Sequence, residues 1–169
     1  MSRLFPPVRR RKQAALAAAV VLAGCGGGTP DELRAIRGSG YAFEGSEELE
    51  VTRSGRTLSA ERDGHVVSVT TFTLARAYRP ELWPTAVREL DAVAVDLAAK
   101  LSGRVVDRET GTVGGRRARV YRLEGTQDDT RLVAFVLRGR AEYQLLCRWP
   151  AGDDASPACD DLLASFRLT

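Results

Sequence analysis

The chain is poor in the residues that most often build a catalytic centre. Its 169 residues hold one histidine, His65, and three cysteines. Cys147 and Cys159 stand twelve positions apart. That spacing excludes a CxxC redox motif, and with one histidine the pair makes a poor zinc site. Gly111, Gly114 and Gly115 are not followed by the Gly-Lys-Ser/Thr of a phosphate loop. The Asp153-Asp154 stretch lacks the spacing of an EF-hand. No apolar run approaches the ~20 residues of a membrane-spanning helix; the stretch from Ala14 to Gly24 has 11. Lysine occurs only at Lys12 and Lys100, every other cation being arginine. This bias reads as GC-rich coding, not as a binding surface. There is no internal repeat.

What is present begins at the N terminus. Arg9, Arg10, Arg11 and Lys12 precede the apolar Ala14 to Val21, and Leu22-Ala23-Gly24 lead into Cys25. A basic, then apolar, then small-residue succession of this length is the layout of an export signal. It resembles the leader of bacterial lipoproteins, whose closing motif is the lipobox. The resemblance implies that residues 1–24 are removed and that Cys25 becomes the first residue of the mature protein. Cys25 would then carry the acyl chains that hold the protein to the cell membrane, on the extracytoplasmic face. A twin-arginine export signal fits less well: Lys12-Gln13-Ala14 follow Arg10-Arg11 where that class has a bulky apolar pair. Residues 25–39 form a lead-in, with Gly26 to Pro30 as flexible tether and Asp31 to Gly38 as a short helix.

Removing the leader changes the charge. The whole chain has 25 basic and 22 acidic residues. Five basic residues and no acidic ones lie before Cys25, which leaves 20 against 22, a formal −2. A near-neutral domain offers no bulk charge for nucleic acid, and no nucleic-acid partner is expected. About 145 residues remain, enough for one domain with a real core.

Residues 40–169 read as that domain. Tyr41-Ala42-Phe43 is a first strand. Leu49 to Arg53, Thr57 to Arg62 and His65 to Ala75 follow as strands, separated by Ser54-Gly55 and by Asp63-Gly64, a strong hairpin dipeptide. From Glu81 to Ser102 the period changes: Leu82, Ala86, Leu90, Val93, Leu97 and Leu101 recur every three or four positions, the mark of an amphipathic helix. Pro80 and Pro84 open it, and Ser102-Gly103 closes it with a C-terminal glycine. Strands return at Arg104 to Thr112, Arg117 to Leu123, Arg131 to Leu137 and Ala141 to Trp149, with Arg138-Gly139 as the turn between the last two. Apolar residues on both faces mark 131–137 as central. Ser156-Pro157 starts a terminal helix, on which Cys159, Leu162, Leu163 and Phe166 form one stripe. Cys147 lies on the inward face of the last strand. In an oxidising compartment Cys147 and Cys159 would form a disulfide, contributing about 3 kcal/mol on the chain-entropy model.

This order of hairpins, long helix, antiparallel strands and short helix comes with three local motifs. They are Val113-Gly114-Gly115-Arg116-Arg117-Ala118, Tyr143-Gln144-Leu145-Leu146-Cys147 and Ala164-Ser165-Phe166-Arg167. Together they resemble the PsbP-like fold, which also takes in Mog-type and LpqN-like proteins. An acidic stretch, Glu44 to Glu50, stands where that group has Pro and Trp. The resemblance implies an α+β fold in which a long helix and a C-terminal helix pack on an antiparallel sheet as α/β/α. It implies binding or assembly roles and supplies no catalytic residues.

Chemistry has few carriers. His65 follows a turn, and neither Ser59 nor Ser68 sits in a nucleophile elbow. The pairs Asp128-Asp129, Asp153-Asp154 and Asp160-Asp161 would serve glycoside hydrolysis only if two carboxylates faced one bond; turns and a helix start explain them as well. Arg117 and Arg119 share a strand face with Tyr121 and would meet anionic headgroups or, more simply, surface glutamates. Tyr41, Phe43, Tyr78 and Trp83 would line a ligand groove beside the long helix, although aromatics at such positions commonly pack in a core. No metal and no cofactor is expected. The reading that follows is a lipid-anchored, non-enzymatic binding or accessory module of the cell envelope, with an envelope protein or cell-wall component as partner. An envelope hydrolase and a carrier of a lipid or other apolar ligand are the alternatives.

Overall fold

Among the described residues, nine strands and two α-helices alternate in blocks. The computed structural model describes residues 32–125, 129–153 and 156–169. The leader, Cys25, the tether, Asp128 and Asp154 lie outside the described residues. The strands are β1 (Leu33–Gly38), β2 (Tyr41–Ser46), β3 (Glu50–Ser54), β4 (Thr57–Arg62) and β5 (His65–Tyr78). A 3-10 turn, Pro80–Leu82, leads into α1 (Trp83–Lys100). Then come β6 (Arg104–Val113), β7 (Arg116–Glu124), β8 (Asp129–Pro150), α2 (Pro157–Ser165) and β9 (Arg167–Leu168). Six strands form one antiparallel sheet in the order β3-β4-β5-β8-β7-β6, and β1-β2-β9 form a second, smaller one.

The large sheet separates two cores. On one face Leu90, Ala94 and Ala98 of α1 pack on Tyr121, Leu123, Val133, Phe135 and Leu137. On the other, α2 and the small sheet supply Cys159, Leu162, Phe166, Tyr41 and Phe43 against Val67, Val69, Leu145 and Cys147. The α+β fold and its α/β/α layering are therefore present. Strand β8 lies between β5 and β7, buried on both faces, as the double-sided apolar pattern of 131–137 requires.

Three local expectations change. Residues 33–38 form strand β1, not a helix, paired with β2 from Leu33↔Ser46 to Gly38↔Tyr41. Six residues are too few for a stable isolated helix, and the ladder supplies every backbone bond a helix would. The folded unit therefore starts before Gly40. The turn expected at Arg138-Gly139 stands where β8 changes neighbour: residues 130–136 pair with β7 and 139–148 with β5. Gly139 has φ +56, and the opposing strand slips register between Thr73 and Tyr78. Val133, Phe135 and Leu137 before this turn point to α1, while Tyr143, Leu145 and Cys147 after it point to α2, the change of parity that a two-residue turn imposes. At the end of α1 the left-handed residue is Ser102 (φ +53), not Gly103. Ser156 stands at the N-cap of α2, but its side chain makes no capping bond.

Candidate functional site

Helix α1 packs chiefly over β6 and β7. Its first half therefore leaves an open groove beside the end of β5. The groove has a volume of about 470 Å³ and is lined by Leu74, Tyr78, Ala86, Leu90 and Leu137, with Leu82 and Val93. Leu82 is 46% exposed and Val93 45%, so two large apolar side chains stand uncovered at its mouth. Phe72, 40% exposed, lies on the neighbouring stretch of β5 opposite Glu142. Three charged residues also line the groove: Arg76, Glu89 and Glu142. Burial pushes the Glu142 carboxyl above the usual carboxylate range. Among the described residues, neither Glu89 nor Glu142 is held in an ion pair or hydrogen bond through its carboxylate. Apolar walls with a few charged groups are the usual composition of a ligand cleft.

Of the four aromatics expected to share a groove, Tyr78 alone lines this one. Trp83 is buried under the Arg117 guanidinium, which sits 5.5 Å from the ring centre. Tyr41 and Phe43 lie in the core on the other side of the sheet. Tyr41 stacks on Phe166 at 5.8 Å and meets Tyr143 edge-on at 5.8 Å. The sheet between the two cores is what keeps the set apart. The groove residues that the sequence did not single out are Glu142 and the exposed pair Leu82 and Val93. The pair had a signal, since both sit at the edge of the helical stripe.

His65 is not a free turn histidine. Its Nδ1 lies 3.2 Å from Ser156 Oγ, and its Nε2 lies 3.2 Å from Asp153 Oδ2. Serine, histidine and aspartate thus occur in hydrogen-bonded order. Nothing local in the sequence links residues 91 positions apart. Ser156 is only 2% exposed, whereas a serine nucleophile must meet its substrate. Asp153 also lies at a tied loop, its carbonyl accepting from Trp149 Nε1 at 3.2 Å.

Arg117 and Arg119 both lie on the α1 side of β7. Arg119 is only 11% exposed and pairs with Asp91 at 3.0 Å. Tyr121 donates to the same carboxylate. Burial raises the Asp91 carboxyl. The bonds donated by Tyr121 and Arg119, with the charges of Arg119 and Arg108, outweigh that and hold it below its ordinary range. Asp129 pairs with Arg131, and Asp160 lies in the first turn of α2. Among the described residues no cluster of three metal-ligating side chains forms, and no helix is long and apolar enough to cross a membrane. Cys147 and Cys159 are bonded, with Cα atoms 5.6 Å apart, tying α2 to β8.

The three sequence motifs behind the fold resemblance meet at one place. Gly114 (φ +59) turns so closely over Phe166 that an added Cβ would lie 2.5 Å from its carbonyl oxygen. The Phe166 ring packs against Tyr143 at 6.0 Å. Ser165 Oγ accepts the Glu44 N–H at 2.7 Å, fastening α2 to β2.

No protein-family model and no curated protein matches the chain. Solved structures do. Cyanobacterial PsbP (CyanoP) from Synechocystis sp. PCC 6803 matches in solution structure with TM-score 0.58 and 13% identity, over 88% of this chain and 99% of that one. A crystal structure from Bacteroides thetaiotaomicron VPI-5482 matches with TM-score 0.51 and 8% identity, over 77% of this chain and 45% of that one. At such identities the likeness carries no activity; it establishes that the chain has the antiparallel α+β fold of PsbP.

Proposed function

We propose that this chain is a lipid-anchored, non-enzymatic binding or accessory module of the cell envelope, held at the extracytoplasmic face through Cys25. Its docking site is the groove between α1 and the end of β5. The observation that carries this reading is an apolar groove left open, with Leu82 and Val93 uncovered and two carboxylates unpaired. The occupant that fits is a short apolar segment of a partner protein bearing a lysine or arginine. Its apolar side chains would cover Leu82 and Val93, and its cation would neutralise Glu142 and Glu89. The burial of Ser156 weighs against a hydrolase built on His65.

A photo-crosslinker placed at Val93 tests this in intact cells. It should give a discrete adduct that Glu142→Arg abolishes. A probe at Val95, which is exposed but outside the groove, should not give that adduct. Equal adducts from both positions, or insensitivity to Glu142→Arg, would overturn the reading. The volume also suits a small apolar ligand. Bound mass in native mass spectrometry, without a protein adduct, would favour a carrier instead.

A further inference from the structure

A second cleft lies between the two sheets, on the face opposite the groove. It has a volume of about 460 Å³. Three arginines line it from three separate segments: Arg37 at the end of β1, Arg53 near the end of β3, and Arg56 in the following turn. Among the described residues no carboxylate lines it. Among the described residues none of the three arginines makes an ion pair. Arg53 donates instead to the Arg37 carbonyl at 3.2 Å, which draws the two segments together. Ser39, Thr57, Thr71 and Thr73 add hydroxyls to the wall, beside Tyr41 and Leu58. Thr71 Oγ1 is buried and has no hydrogen-bond partner. A buried hydroxyl without a partner is destabilising, and three guanidiniums around one cleft repel one another. Both costs fall when an anion sits between them.

We infer that this cleft binds a phosphoryl oxyanion, as a phosphate mono- or diester. Guanidinium forks match phosphate oxygens in pairs. Three cations and a set of hydroxyl donors suit an anion with several oxygens better than a carboxylate with two. The arginine bias of the sequence, which reads as coding composition, thus gains a local meaning at three positions. The site stands independently of the apolar groove.

The test uses the full chain in neutral detergent micelles, titrated with inorganic phosphate at constant ionic strength and followed by amide and arginine NMR signals. Saturable shifts should centre on Arg37, Arg53, Arg56 and Thr71. The double substitution Arg53→Gln/Arg56→Gln should weaken binding at least tenfold. Thr71→Val should weaken it several-fold while leaving the melting temperature equal or higher, because it removes an unpaired buried hydroxyl. Arg122→Gln, exposed on β7, should change nothing. Competition by glycerophosphoglycerol, the deacylated headgroup of phosphatidylglycerol, assigns the anion to a lipid-type diester; failure to compete assigns it to a monoester. Non-saturable shifts, equal shifts with acetate, or equal weakening by Arg122→Gln would each overturn the proposal.

Discussion

The Tyr121 hydroxyl donates to the Asp91 carboxylate across 2.7 Å, joining β7 to the middle of α1. The same oxygen accepts Arg119 Nε at 3.0 Å, and the Arg119 guanidinium lies 5.4 Å from the Tyr121 ring centre. A helix that packs on a sheet mainly through alanines and one leucine is fixed in position by this polar clamp. That placement leaves the groove beside β5 open.

Asp91→Ala should therefore cost about 2–3 kcal/mol, since it strands a nearly buried guanidinium and a buried hydroxyl. Asp91→Asn should cost less, because an amide oxygen still accepts from Tyr121. The Asp91 carboxyl is held below its ordinary range in the folded state. Its contribution is present above the unfolded value of about 3.9 and is lost as pH falls through the folded value. The stability gap between wild type and Asp91→Asn should narrow on acidification, as read by urea denaturation from pH 7 down to the acid limit.

Glu142 behaves with the opposite sign. Burial raises its folded value, so its ionisation opposes folding. Stability is fullest below the unfolded carboxylate value and declines as pH rises through the raised one. Glu142→Gln should raise the melting temperature at neutral pH and converge with wild type in acid. A bound cationic partner segment should remove the difference at neutral pH. A Glu142→Gln variant less stable than wild type at pH 7 would contradict the unpaired carboxylate.

The Cys147–Cys159 bond closes a short loop between β8 and α2. Cys147→Ala/Cys159→Ala should lose about 3 kcal/mol on the loop-entropy account. Reductant should lower the wild-type melting temperature towards that of the double variant and leave the variant unmoved.

The repeating patterns were legible in the sequence, and the exceptions were not. Helix α1 and α2, the Asp63-Gly64 turn (φ +51 and +81) and the facing of both cysteines followed from period and turn chemistry. Strand β1 did not, because only Ile36 of its six residues is buried and no alternation marks it. Gly139 was legible, a left-handed glycine (φ +56) standing where β8 changes neighbour. Of the groove, Tyr78 was anticipated, while Glu142 was hidden on the polar side of β8. The arginine cleft was invisible because Arg37, Arg53 and Arg56 converge only when two sheets pack. The same holds for His65 and Ser156.

That last pair separates latch from catalyst. As a latch, His65 joins the β4–β5 hairpin to the start of α2. Ser156→Ala should then cost about 1 kcal/mol of stability, the worth of one hydrogen bond. The wild-type protein should not hydrolyse p-nitrophenyl esters above background. Turnover that Ser156→Ala abolishes would restore the hydrolase reading.

The anchor is tested at Cys25. A single acyl chain holds a protein only marginally, since each buried methylene contributes about 0.8 kcal/mol, and two or more chains make attachment stable. Cys25→Ser removes the thiol on which such chains are built. Fractionation should then move the protein from the membrane to the soluble extracytoplasmic pool, with residues 32–169 still folded. Mass spectrometry of the wild type should find Cys25 as the first residue, carrying the added acyl mass. Membrane retention of the serine variant would mean that another contact holds the protein there, and the docking groove would become the first place to look.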